Sequence, residues 1–145
     1  MEELKIRKLR KEDAEEVSKI YYSIVKTPEK IDFKRMFEEQ GMDAAFSSSI
    51  AERQGRVVGY MISFIISAGF GIEKSAWITM LGVDPKYMGQ GVGQGLAEAA
   101  FAFYRERGIG NIYTTVEWDS IDMLSFFKSL GFDRSEFVNL RKIIE

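Results

Sequence analysis

The stretch Val83-Asp84-Pro85-Lys86-Tyr87-Met88-Gly89-Gln90-Gly91-Val92-Gly93 constrains this chain more than any other, because it follows an apolar strand-like run and opens a helix-like one. A strand, a glycine loop and a helix start together make an anion site. Glycines at 89, 91 and 93 clear side chains from the loop, so successive backbone N–H groups can face a phosphate with the positive end of a helix dipole behind them. The predicted ligand is therefore phosphorylated. The spacing excludes the two familiar phosphate loops. A G-x-G-x-x-G fingerprint from Gly89 would need glycine at Gln94, one from Gly91 would need it at Leu96, and no glycine precedes a lysine as a Walker A loop requires.

What else the site can hold is narrowed by two absences. The 145 residues include no Cys and no His, which removes disulfides, thiolate nucleophiles, Ser-His-Asp triads, histidine bases and ordinary zinc sites. No metal is expected. Any acid–base group must be a carboxylate, tyrosine, lysine, a chain terminus or water. The formal charge of −2, with acids and bases mixed, gives no footprint for nucleic acid. The start Met-Glu-Glu-Leu-Lys lacks the apolar region of a signal peptide, and the longest uncharged run, Val57 to Ile72, is 16 residues broken by Gly and Ser. No membrane association and a cytoplasmic location are the expectations.

The length suits one domain, 1–145, and eleven Phe, six Tyr and two Trp supply much of its core. Leu4 to Leu9 alternates as a half-buried strand, and Ala14 to Val25 carries the apolar spacing of an amphipathic helix. Thr27-Pro28 predicts a second helix over about 28–40, stopped by Gly41. Ala45–Glu52 and Val57–Ser67 flank Arg53-Gln54-Gly55-Arg56 as a hairpin with a positive φ at Gly55. Ser75–Val83 predicts a strand, Gly91–Arg107 a helix closed by Gly108, Ile112–Trp118 a strand, Ser120–Leu130 a helix closed by Gly131, and Phe132–Ile144 a last extended segment.

The glycine loop resembles motif A of the GNAT-type N-acetyltransferase superfamily, V-x-P-x-Y-(R/Q)-x-x-G-x-G/A. Val116 to Phe132 resembles its motif B, V-x-x-x-N-x-x-A-x-x-x-Y-x-x-x-G-F. The element order β-α-α-β-β-β-α-β-α-β is also the superfamily's. The resemblance implies an α/β (α+β) GNAT fold: a central mixed, mostly antiparallel sheet of six to seven strands flanked by four helices. It implies an acetyl-CoA-dependent transferase acting on a primary amine. The pyrophosphate of the co-substrate would rest on Met88, Gly89, Gln90, Gly91, Val92, Gly93 and Gln94. A main-chain N–H near Leu81, Gly82 and Val83 would face the thioester carbonyl, with Gly82 permitting the bulge by which the fourth strand splays from the fifth.

Three positions depart from the pattern. Met88 stands where Arg or Gln is usual, leaving Lys86 or Gln90 as nearby side-chain donors. Ser120 stands for the Asn that bonds the pantetheine arm, and the N-cap of the next helix is an equally open role for Asp119 or Ser120. Phe127 replaces the Tyr that protonates the departing thiolate in many members; contact with the pantetheine thiol and a purely structural core role are both open to it. A thiol with a pKa of about 8.5 leaves tolerably as the thiolate.

Related enzymes often carry a base Glu on the fourth or fifth strand, and counting along the motifs places Trp77 and Thr115 at those positions. Neither is a base. Glu117, Asp119 and Glu73 are the nearest carboxylates. Glu117 is chosen because its parity matches Thr115, with Tyr113 and ordered water as rivals. The acceptor is expected to enter past the first helix and the 26–32 loop, near Tyr21, Tyr22 and Glu29. An uncovered edge at Phe137-Val138-Asn139-Leu140 predicts a homodimer. The missing hydroxyl at 127 and the missing Glu keep a non-catalytic acyl-CoA-binding or regulatory domain open as the alternative.

Overall fold

A computed structural model describes residues 3–40, 47–67, 71 and 73–145, which fall into two compact units, 1–115 and 116–145. The first unit is a five-stranded sheet in sequential order: β1 (Lys5–Lys8), β2 (Ser49–Arg53), β3 (Arg56–Ser67), β4 (Lys74–Val83) and β5 (Ile112–Thr114). β1 to β4 are antiparallel neighbours and β4–β5 is parallel, so the sheet is mixed. The helices of this unit are α1 (Ala14–Ile24), α2 (Phe33–Gln40) and α3 (Val92–Glu106).

Alternation along β3 assigns the two faces. Ile50, Tyr60 and Ile62 join Val17, Ile20, Tyr21, Phe33 and Phe37 in one buried cluster, which puts α1 and α2 on that face. On the other face Val92 and Leu96 of α3 lie directly over Gly59. Further along α3, the buried Tyr104 hydroxyl bonds Ser63 Oγ and, at 2.6 Å, Ser47 Oγ. The β2–β3 hairpin turns at Gln54 and Gly55, both in the left-handed region at φ 57° and 72°. Two successive positive φ values match the twist of the strands, so the turn needs more than the expected glycine.

Three expectations are corrected. The second helix starts at Phe33, not near Pro28, because the preceding backbone is held elsewhere. The Tyr21 hydroxyl accepts Glu29 N–H at 3.1 Å and the Tyr22 hydroxyl accepts Ile31 N–H at 3.2 Å, while Asp32 Oδ1 takes the Arg35 N–H at 3.0 Å and caps the helix. The sheet has five strands among the described residues, not six to seven. β5 stops at Thr114, and the chain then turns with Ser120 N–H donating to Glu117 O at 3.0 Å. The expected Gly41 stop and the residues 45–46 of the second strand lie outside the described residues.

The second unit contains α4 (Ile121–Ser129) and an extended tail. Residues 132–144 form no strand: local turns take the Arg134 and Phe137 amides onto Asp133 Oδ1 and Ser135 Oγ at 2.8 and 3.0 Å. Val138 and Leu140 stand in solvent at 82% and 93% exposure, so the expected edge strand at 137–140 is absent.

One charged network ties β1 to its surroundings. Arg7 donates to Glu52 on β2 at 2.7 Å and bidentately to Asp13 at 2.7 and 2.9 Å, and Asp13 also accepts the Arg10 N–H at 2.7 Å. Burial pushes the Asp13 carboxyl up, but the Arg7 and Arg10 hydrogen bonds together hold it below its ordinary value. Its contribution is therefore present above the ordinary carboxylate range and lost as pH falls through the lowered pKa. Asp13→Ala is expected to cost about 3 kcal/mol, because it leaves Arg7 half-paired in a largely buried site. Urea unfolding at a series of pH values from 7 downward checks both points: the gap between the two proteins should be widest at neutral pH and close only as the pH falls through the lowered Asp13 pKa.

Candidate functional site

The site begins with one extra residue in β4. Ile62 pairs with Met80 but the next residue, Ser63, pairs with Ile78, so Thr79 is a bulge. Its Oγ1 turns onto Ile62 O at 3.2 Å and it has no ladder partner on β3. The parallel ladder to β5 covers only Ala76, Trp77 and Ile78, and closes with Thr114 Oγ1 on Ile78 O at 2.9 Å. Beyond Ile78, β4 runs on to Val83 without β5 beside it.

Ladder alternation says which groups face that gap. Asp84 N–H donates to Val58 O at 2.8 Å, which sets residues 84, 82 and 80 as the ones bonded to β3. The N–H groups of Leu81 and Val83 then point the other way, into the gap. The expected bulge at Gly82 is corrected to Thr79. Gly82 sits in a regular rung opposite Tyr60, and a Cβ there would lie 2.6 Å from Tyr60 Cζ. Its bare Cα is needed because the Tyr60 ring lies across it. Burial raises the Tyr60 hydroxyl well above the usual phenol range, so that group stays protonated.

The glycine loop is built onto the end of β4. Asp84 Oδ1 accepts Lys86 N–H at 3.0 Å and Asp84 O accepts Tyr87 N–H at 2.8 Å, winding Pro85–Tyr87 into a 3-10 turn. Gly89 and Gly91 are left-handed at φ 79° and 80°, with open space where a Cβ would stand. The first helical bond runs from Gly95 N–H to Gly91 O at 2.9 Å, so the N–H groups of Val92, Gly93 and Gln94 ahead of it have no helical acceptor. These residues fit an anion of the pyrophosphate kind. Gln94 spends its amide on Glu98 at 3.0 Å, whereas Met88, Gln90 and Lys86 are exposed around the loop.

On the α1/α2 face of the gap, Trp77 and Tyr113 stack across the β4–β5 ladder with centroids 4.7 Å apart and planes at 22°. Trp77 therefore occupies the expected carboxylate position as an aromatic wall. Tyr22 also donates to Glu29 O at 3.3 Å, so both tyrosines expected near the acceptor entrance hold the 26–32 loop.

In the second unit, Ser120 sits at the N-cap position of α4, with its O accepting Leu124 N–H at 3.0 Å, but its hydroxyl makes no capping bond. Glu117 is exposed in the turn after β5, so the strand parity used to choose it does not apply. Phe127 is buried edge-to-face between Phe126 and Phe132, at 5.3 and 5.1 Å, as a core residue would be. Sequence reasoning missed the bulge at Thr79, which has no residue-type signal, and the Asp84 cap, which the Asp-Pro pair does signal. Among the described residues no group of acidic side chains could hold a metal ion, and no helix is long and apolar enough to cross a membrane.

Residues 6–132 match the Acetyltransferase (GNAT) family. A mycothiol acetyltransferase of Renibacterium salmoninarum is 28% identical over 103 residues, covering 71% of this chain and 30% of that protein. One from Thermobispora bispora is 31% identical over 71% of this chain and 35% of its own length. The chain thus spans about a third of the length of these relatives. Among solved structures, the aminoglycoside N-acetyltransferase AAC(6')-Iy in complex with CoA superposes with a TM-score of 0.83 at 17% identity, covering 99% of this chain and 96% of that one. The likeness shows a shared fold.

Gly82→Ala is expected to lose about 1–3 kcal/mol of stability by driving its methyl into the Tyr60 ring. Tyr60→Leu in the same chain should cost less than the sum of the two single changes, and a double-mutant cycle by urea unfolding checks this.

Proposed function

Since this chain belongs to the GNAT acetyltransferase family, we propose that it acts as one domain, 1–145, that moves the acetyl group of acetyl-CoA directly to a primary amine in the cytoplasm. The observation that carries the reading is the pair formed by the early end of the β4–β5 ladder and the left-handed glycine loop at the end of β4. Acetyl-CoA supplies an activated acyl carbon. The loop N–H groups of residues 88–94 hold its pyrophosphate, with Lys86 and Gln90 as side-chain donors, and Met88 contributes only backbone. The Leu81 N–H, turned into the gap and flanked by Gly82 and Val83, donates to the thioester oxygen where negative charge develops. The amine nitrogen bonds to the acyl carbon as the carbon–sulfur bond breaks, and one amine proton must leave.

For Glu117 as the base, Ser120 as a hydrogen-bond partner of pantetheine, and Phe127 beside the thiol, the support is their place in the second motif. Direct transfer follows from composition, because a chain without Cys or His offers no ordinary acyl-carrying nucleophile. Phe127 brings no proton donor, so the thiolate leaves unprotonated or takes its proton from water. The exposed apolar residues Val138, Leu140, Ile143 and Ile144 support a homodimer through the tail. A non-catalytic acyl-CoA-binding domain is the second reading, favoured by Trp77 where a carboxylate was expected and by the packed ring of Phe127.

Gly91→Val is expected to weaken acetyl-CoA binding at least about tenfold, because a β-branched residue resists the left-handed conformation and shields the amides. Calorimetric titration of the folded variant checks it, and unchanged affinity would remove the loop from the site. Phe127→Tyr is expected to raise kcat with little change in acetyl-CoA affinity, since a proton donor acts in the transition state. Free-thiol release over a panel of amines reads the rate. Tight acetyl-CoA binding with no thiol release for any amine would favour the second reading.

A further inference from the structure

The geometry points to the Trp77–Tyr113 stack as the wall that selects the acceptor, admitting amines whose other end is an uncharged aromatic group; this inference rests on the acetyl-transfer reading above. Trp77 pairs with Phe64 and Met80 pairs with Ile62. Phe64 and Ile62 are two apart on β3 and so share a face, which makes Trp77 and Met80 successive side chains on the same face despite the three-residue step between them. The bulge at Thr79 produces this juxtaposition. Leu81, whose N–H faces the gap, follows Met80 directly, so the aromatic wall stands one side-chain position from the proposed oxyanion donor.

The face matters as well as the distance along the strand. α3, with the glycine loop at its start, covers the side of the sheet on which Gly59 lies, whereas Trp77, Met80, Phe64 and Ile62 belong to the opposite side. A donor carried on the loop therefore leaves the Trp77 side as the approach for the amine. Trp77 is held in place: its Nε1–H donates to Ser75 Oγ at 3.0 Å, and its ring is stacked on Tyr113. The polar atom of the indole is thus occupied by the protein. Both rings are half-buried and stand side by side across neighbouring strands, so their rims form a two-ring step.

Ile62 belongs to the core cluster and Phe64 and Met80 pack against it, which leaves the half-buried Trp77–Tyr113 step, also uncharged, as the wall. A substituent carrying a second positive charge would lose water against such a wall, while an aromatic ring gains edge-to-face contacts. The wall therefore distinguishes an arylalkylamine from a diamine of similar reach. Trp77 acts here on acceptor binding and takes no part in the bond changes, so its removal should appear in KM.

Thiol release from saturating acetyl-CoA is to be measured with 2-phenylethylamine, 1,4-diaminobutane and ethanolamine. The expected kcat/KM for 2-phenylethylamine exceeds that for 1,4-diaminobutane at least about tenfold. Trp77→Ala should abolish this preference through KM, raising KM for 2-phenylethylamine at least about tenfold more than KM for ethanolamine. Trp77→Phe should restore most of the preference, and Tyr113→Leu should reduce it in the same direction, which keeps the test valid if the alanine variant does not fold. Equal or greater activity with the diamine, or equal losses for all three amines in the variants, overturns the inference while leaving acetyl transfer intact. No thiol release with any amine, in a protein shown by calorimetry to bind acetyl-CoA, overturns the transfer reading and this inference together.

Discussion

The extra residue at Thr79 is the constraint on which the rest of the site depends. Without it, β4 would continue in register with β3. With it, the strand carries Trp77 and Met80 on one face as neighbours, ends its parallel ladder at Ile78, and presents the Leu81 N–H to an open gap. An amide that has lost its strand partner is costly unless something else accepts from it. A ligand carbonyl is one such acceptor. The irregularity thus leaves a donor facing the gap, the one that the proposed reading assigns to the thioester oxygen.

That bulge is tolerated because both faces around it are firmly packed. On one side Tyr60 closes over Gly82 and joins the aromatic cluster of Tyr21, Phe33 and Phe37. On the other, α3 is anchored at its start over Gly59 and near its end by the Tyr104 hydroxyl, which is shared by Ser47 and Ser63. Ser63 also receives help from Ser48, whose Oγ accepts its N–H at 3.1 Å. Three serines and one tyrosine satisfy each other inside the sheet–helix layer, which makes a polar cluster compatible with burial.

Periodic segments were legible from the chain alone: α1, β3, β4 and α3 lie within a residue or two of where apolar spacing puts them. The glycine loop was legible as a strand-to-helix junction free of side chains, though the left-handed conformation of Gly89 and Gly91 was not part of that reading. What failed were inferences needing a partner outside the segment itself. Thr27-Pro28 looks like a helix start, but the hydroxyls of Tyr21 and Tyr22 take the amides that such a helix would use. Ile112–Trp118 has the composition of a longer strand, yet β5 leaves β4 after Ile78 although β4 runs on to Val83, and the chain turns instead. The side-facing assignment of Glu117 fell with that strand. At 132–144, strand-like residues do not become a strand, because alternation gives no neighbour to pair with.

The Asp84 turn settles when the phosphate loop is ordered. Asp84 engages Val58, Lys86 and Tyr87 through its N–H, side chain and carbonyl, so the approach to Gly89 and Gly91 is braced by the chain's own hydrogen bonds. The entropy of ordering the turn that leads into the two glycines is then lost during folding. On the proposed reading, capture is an exchange of water for phosphate at a loop whose approach is already braced.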